Sequence, residues 1–396
     1  MLIGDPKLGS DEQKRFLPSR FDPNGNAIDS NGAICQTLAC PSCHLRIPKP
    51  LLEITPTFFS IIGSPACGKT YFLASMIWRL RQMMPREFHI NFTDADPQSN
   101  KILSEYEDQQ FFNQDRDKVV KLAKTEEQGD LYDNVLLDNQ PVMLPLPFMY
   151  SMRPTQKHPS FENARKVSRI LTLYDNAGES FLPGKDTGQN RVTRHLAKSQ
   201  SLLFLYDPTQ DPRFREACAR RSNDPQLSDN IVTSRQEILL HELADRVRRH
   251  VGLEQNQAYS RPLIVVVTKY DAWSSLLDDD ALESPVIRRT NVPWTALDLD
   301  AIRERSERVK QLLWKFTPEL VSKRRIVLFA SLVRSCRPTG VAPERDPTTG
   351  NLGIRPSAID PKWCEVPILW TVSQHCPGLI PFVDSQNGRS ADPGSE

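Results

Sequence analysis

The octet Gly63-Ser64-Pro65-Ala66-Cys67-Gly68-Lys69-Thr70 fits G-x-x-x-x-G-K-[ST] residue for residue. A loop that turns so tightly points several backbone N–H groups inward, and a helix that follows adds the positive end of its dipole. That is a cradle for phosphate: Lys69 would reach the outer phosphates, and the Thr70 hydroxyl would bind Mg²⁺. Pro65 removes one loop donor, and Cys67 reads as a small residue filling a tight turn rather than as a reactive thiol. Two later stretches supply the rest of a nucleotide site. In LYDNAGESF (173–181), Asp175 closes an apolar run, where an acid holds Mg²⁺ through water. Gly178 stands where a backbone N–H meets a γ-phosphate, a contact that exists only while the third phosphate does and so makes a switch. In VVVTKYD (265–271), the Asp271 carboxylate can accept two hydrogen bonds from guanine, at N1–H and the 2-amino group. Adenine offers neither, and an unpaired buried carboxylate rejects it. The stem of Lys269 would lie over the base. The plainer alternative is an exposed turn in which Asp271 caps the next helix.

A third cluster lies upstream, Cys35-x4-Cys40-x2-Cys43-His44. C-x-x-C-H is the spacing of covalent haem attachment, but that needs export, and the first thirty residues hold no apolar run like a signal-peptide core. Zinc fits better, with C-x2-C closing a loop around the metal, Cys35 as third thiolate and His44 as fourth ligand. A zinc ribbon normally carries a second C-x2-C and none stands nearby, so a metal-free cysteine-rich turn remains the other reading.

These groups need a frame. Five short runs are apolar throughout: TFFSII (57–62), ILTLYD (170–175), LLFLYD (202–207), LIVVVT (263–268) and IVLFAS (326–331). Continuous apolar runs are what strands buried on both faces of a parallel sheet look like. Between them stand helical patterns. One follows the phosphate loop up to Pro85, and SRQEILLHELADRVRRHV opens with Ser234 and Glu237 in capping-box spacing. AIRERSERVKQLLWKF sets Ile302, Val309, Leu312, Leu313 and Phe316 on one stripe. Alternation of this kind predicts a doubly wound α/β domain over 55–382, with insertions at 86–165, 208–262 and 272–297. Residues 1–54 read as a polar segment plus the cysteine element, and 383–396 as a disordered tail.

The chain has 396 residues, 39% hydrophobic and 25% charged, with a net charge of +1. That is ordinary globular composition, with no electrostatic reason to expect a nucleic-acid or membrane-surface partner. No apolar run approaches the roughly 18 residues a membrane helix needs. Eight cysteines, three clustered and five scattered, are unlike a disulfide framework, and the protein reads as cytoplasmic.

The order GSPACGKT, DNAGE, TKYD and then the FAS of 329–331 resembles the translation-factor-like (TRAFAC) class of P-loop GTPases over about residues 56–335. CPSCH upstream and KTYFLASM after the loop are also similar to the bacterial double-GTPase proteins of conflict or signalling systems. The resemblance implies a Ras-like P-loop fold and GTP/GDP with Mg²⁺ as ligands. It puts nucleotide contacts at Gly63, Ser64, Pro65, Ala66, Cys67, Gly68, Lys69, Thr70, Asp175, Gly178, Thr268, Lys269 and Asp271, with Ala330 and Ser331 near the guanine. Three features depart from it. Thr268 replaces the commoner Asn. The switch threonine that would bind Mg²⁺ is not evident by spacing; Thr125 is the first candidate and Thr93 the second. Glu179 stands where Ras-like enzymes carry a water-orienting Gln, and a carboxylate beside a γ-phosphate implies slow hydrolysis. An arginine from a partner or second copy would then complete the site, Arg191 and Arg194 being candidate fingers. The function expected is a GTP-controlled switch acting on a protein effector or on self-association. A P-loop ATPase or kinase, and a scaffold that hydrolyses nothing, are the alternatives.

Overall fold

The computed structural model describes residues 3–122, 131–137, 139–176, 191–228, 235–254, 257–277, 282–288, 294–318, 329–387 and 389–391. Among these described residues, seven strands form the main sheet: β1 Thr55–Gly63, β2 Ile90–Asp94, β3 Phe148–Pro154, β4 Arg169–Asp175, β5 Ser201–Tyr206, β6 Tyr259–Val267 and β7 Phe329–Ser335. Their order across the sheet is β7-β6-β5-β1-β4-β3-β2. β1 runs parallel to both neighbours, β5 to β6 and β6 to β7 likewise, while β3 lies antiparallel to β4 and β2. Strands that follow β1 in sequence therefore leave it on both sides. The crevice beyond the carboxyl end of β1 is a topological switch point, where open α/β sheets take ligands.

Alternation along the central strands divides the interior in two. Phe59, Ile61, Leu203, Leu205, Ile264 and Val266 pack on one face, under helices α1 (Lys69–Glu87) and α5 (Val366–His375). Ile62, Leu202, Phe204, Leu263, Val265 and Val267 pack on the other, under α3 (Gln236–Val251) and the C-terminal half of α4 (Leu299–Phe316). Both faces being covered explains why these strands read as unbroken apolar runs. On α4 the expected stripe is buried at Ile302, Val309, Leu312 and Leu313, and the Asp298 side chain caps the helix by accepting from the N–H of Ala301 (2.9 Å).

Several expectations are corrected. α1 runs through Pro85 to Glu87, because a proline in the last turn forfeits only one ladder bond and the Phe88 N–H still closes on the Met84 carbonyl (3.3 Å). The stretch 86–165 is more than an insertion: it supplies β2, β3, helix α2 (Pro97–Phe111) and a hairpin at 132–145. Within the C-terminal stretch, Phe382–Asp384 pairs antiparallel with Arg389–Ala391. Residues 3–47 form three two-stranded ribbons. Among the described residues no helix is long and apolar enough to cross a membrane.

Where α2 packs on α1, Glu107 is buried against Arg81 and close to Asp94 and Tyr150. Burial, opposed by Arg81, lifts its carboxyl from 4.5 to about 7. The folded chain thus retains a proton that the unfolded chain releases between about pH 4.5 and 7. Stability is expected to fall across that window as pH rises, by on the order of 3 kcal/mol. Chemical denaturation as a function of pH should show this slope, and Glu107→Gln should flatten it.

Candidate functional site: a glycine-bounded loop facing the end of β6

The loop 64–68 leaves β1 where Gly63 has no room for a side chain: a Cβ there would lie 2.7 Å from Cys67 Sγ and 3.0 Å from Leu205 Cβ. It turns through two left-handed residues, Ala66 (φ 63°) and Gly68 (φ 88°), before α1 begins at Lys69. A polar layer holds it from beneath. The Ser64 hydroxyl lies 3.0 Å from Gln210 Oε1 and 3.1 Å from Gln236 Oε1, and Gln210 Nε2 donates to the Pro65 carbonyl (3.0 Å). Gln236, the first residue of α3, also donates to the Asp207 carbonyl and accepts from its N–H. Burial raises the Asp207 carboxyl above its usual range, although the Lys269 charge and Thr209 work against it. Neither glutamine was legible as a site residue. The only signal is the DPTQ turn after β5, which reads as loop chemistry.

On the outer side, Lys69 Nζ stands 3.2 Å from Asp175 Oδ1 and also donates to the Asn176 carbonyl. Asn176 is pinned in turn to the Ile61 carbonyl of β1, through its backbone N–H and its side chain. Thr70, in the first turn of α1, and Asp175, at the end of the adjacent strand, are both buried. A hydroxyl and a carboxylate are the hard oxygen donors that Mg²⁺ takes, usually one or two from the protein with water completing the shell.

The cavity over this loop measures about 390 Å³ and is lined by Ser64–Tyr71, Thr268, Lys269, Asp271, Gln226, Pro338 and Thr339. The third side of the cavity is a strap. Lys121 and Leu122 line it together with Leu352, Gly353 and Ile354, and the two pieces are joined by the Val120–Ile354 bridge. The Leu122 N–H donates to the Tyr71 hydroxyl (3.1 Å), tying the strap to α1.

At the end of β6 the residues divide their work. Thr268 is a latch: its hydroxyl donates to the Cys67 carbonyl (2.8 Å), joining the two loops. Lys269 is left-handed (φ 57°), its stem approaches Gly68, and its ammonium donates to Gln226. Asp271 lines the cavity and accepts from Arg337 Nε (2.6 Å). The plainer reading of Asp271 as a helix cap has no support, since no side-chain cap bond forms at Tyr270–Trp273.

Ala330 and Ser331 are not placed beside this cavity. Strand register pairs Ser331 with Leu263 and Ser335 with Val267, so the FAS segment lies four residues, about 13 Å, before the strand end. The apolar run continues through SLV, and the residues that flank Thr268–Asp271 are Ser335, Cys336 and Arg337. Their small-small-basic sequence was the available signal. Thr93 sits on β2, the edge strand three places from β1, and cannot serve the phosphates. Thr125, Gly178 and Glu179 lie outside the described residues, as do the side chains of Arg191, Arg194, Ala330 and Ser331.

No family model and no curated protein matches the chain. One similar solved structure is the signal recognition particle receptor SRb-GTP/SRX complex from Chaetomium thermophilum. The similarity is faint, with 13% identity and a TM-score of 0.26 over 74% of this chain and 95% of that one. It carries no argument. The site rests on its own geometry.

The cysteine cluster does not assemble as expected. Cys35 belongs to the ribbon 27–35, whereas Cys40 and Cys43 occupy the turn of the next ribbon, 38–47. His44 turns its Nδ1 to the Asp5 carboxylate (3.0 Å), and no three His, Cys, Asp or Glu side chains gather as a metal group among the described residues. The four donors are therefore not gathered around one point. Cys40 and Cys43 are nonetheless unlike each other. Burial works against ionisation at both, but backbone N–H groups of Cys43 and Ser42 outweigh it at Cys40, whose thiol is lowered, while the Cys43 thiol is raised. Burial lifts the Cys67 thiol to about 12. Timed alkylation of the folded protein at pH 8, read by mass spectrometry, should therefore modify the half-buried Cys40 and Cys43 and leave the buried Cys67 untouched.

Proposed function

We propose that this chain has a Ras-like P-loop fold and acts as a GTP-binding switch with slow Mg²⁺-dependent hydrolysis, controlling a protein partner or its own association. One observation carries the reading. The phosphate loop and Thr268–Asp271, distant in sequence, line one cavity and are bonded to each other through Thr268 and Cys67, 201 positions apart. In this reading Lys69 leaves Asp175 to engage the β- and γ-phosphates, and the loop N–H groups bind the phosphate oxygens. Thr70 and Asp175 hold the metal, which when bound neutralises phosphate charge. Asp271 accepts from the guanine N1–H and 2-amino group.

Gly178 as the γ-phosphate contact, Glu179 as the cause of slow turnover and Thr125 as the switch threonine complete the proposal from the motif resemblance alone. Isothermal titration of GTP and ATP tests it directly. Preference for GTP by at least about tenfold is expected; equal or tighter ATP binding would return the protein to the ATPase or kinase class. Phosphate release that matches buffer alone would leave a nucleotide-binding scaffold.

A further inference from the structure

The group that fixes the base-reading carboxylate is a residue no motif singled out. We infer that Arg337 is a positioning residue for Asp271 and thereby sets base selectivity. The inference rests on the guanine reading proposed above. Asp271 is nine-tenths buried, and its Oδ1 accepts from Arg337 Nε at 2.6 Å. Among the described residues that line the cavity are Asp271, Pro338 and Thr339, but not Arg337. The guanidinium thus supports the carboxylate without itself lining the cavity.

Its own backbone is held. The Arg337 N–H donates to the Lys362 carbonyl (2.9 Å), and the Lys362 N–H donates back (3.0 Å). Next to it, the Cys336 N–H donates to the Val267 carbonyl (3.3 Å). A second arginine braces the same two loops from behind: buried Arg305 on α4 donates to the Tyr270 hydroxyl and lies 3.4 Å from Ser335 Oγ. Each carboxylate oxygen has two acceptor sites, so Oδ1 can keep Arg337 and still accept from a base. A charge-assisted bond of this length fixes the plane of the carboxylate, and reading two parallel N–H donors requires a fixed plane.

The test uses the full chain and four ligands: GTP, inosine triphosphate (which lacks the 2-amino group), xanthosine triphosphate and ATP. In Arg337→Ala, GTP affinity is expected to fall about tenfold, and the preference for GTP over inosine triphosphate to collapse toward unity. ATP affinity should change less than GTP affinity, because adenine makes no bond to the carboxylate in either protein. Arg337→Lys should recover most of the preference, because an ammonium can still hold the carboxylate. If Arg337→Ala does not fold, as judged by circular dichroism, Arg337→Gln carries the same comparison. A variant that keeps the wild-type preference overturns the inference, and so does one that binds GTP more tightly, which would make Arg337 a gate. If the wild type shows no preference for GTP over ATP, the guanine reading itself has failed. A wild type that prefers GTP, loses it in Asp271→Asn for xanthosine triphosphate, and is indifferent to Arg337 leaves that reading standing and removes only the positioning role.

Discussion

Lys69→Met is expected to lower GTP affinity by about 10- to 100-fold, and at the same time to destabilise the folded protein by about 3 kcal/mol. The two effects have different causes. The first is loss of charge-assisted bonds to phosphate, worth about 1.5–3 kcal/mol. The second comes from Asp175: the two side chains are 10% and 3% exposed, so removing the ammonium takes a close opposite charge away from a buried carboxylate. A second substitution separates them. Lys69→Met with Asp175→Asn should recover most of the stability, since a neutral amide costs far less to bury, but none of the nucleotide affinity. Thermal melts without nucleotide report the first half, and calorimetry with GTP the second. Triphosphate affinity unchanged in the single variant would remove Lys69 from the phosphate site.

The other large effect concerns the base. Asp271→Asn should weaken GTP binding by about 100-fold or more and bring xanthosine triphosphate to comparable or better affinity. The amide can donate to the oxo group at C2 of xanthine, where guanine presents a donor of its own. Stability should hardly change, by about 1 kcal/mol or less, because Arg337 is one-third exposed and water can take over its charge. Retained GTP selectivity in this variant would disqualify Asp271 as the reader, wherever the phosphates bind.

Most of the frame was legible because its signals are local. Four of the five apolar runs lie in the sheet within a few residues of where they read, since burial on both faces demands unbroken apolar sequence. Stripe residues of α4 are buried for the equivalent reason at helical spacing. β7 shows where local signals fail. IVLFAS and the following SLV are both apolar, and composition cannot say which end of a long apolar stretch is the strand terminus. Pairing of Ser335 with Val267 decided it, and so exchanged FAS for Ser335-Cys336-Arg337 at the site. Thr93 failed for a related reason, because its distance from the phosphate loop depends on strand order, which no spacing encodes.

Cysteine spacing was suggestive by itself, yet ribbon pairing put Cys35 in one hairpin and Cys40 and Cys43 in another, and Asp5 claimed His44. Gln210, Gln236 and Arg305 illustrate the opposite gap. They are ordinary polar residues in sequence, and burial beneath the loops makes each an obligatory hydrogen-bonding partner.

By itself the sequence determined the local backbone: a glycine-bounded turn between an apolar strand and a helix, with a lysine at the first helical position. It also determined which strands were covered on both faces. Tertiary structure alone decided which distant side chains share the cavity and which way they face, because a strand slipped by a few residues exchanges one set of neighbours for another at no cost visible along the chain. Arg337 meeting Asp271 across sixty-six positions is that kind of fact.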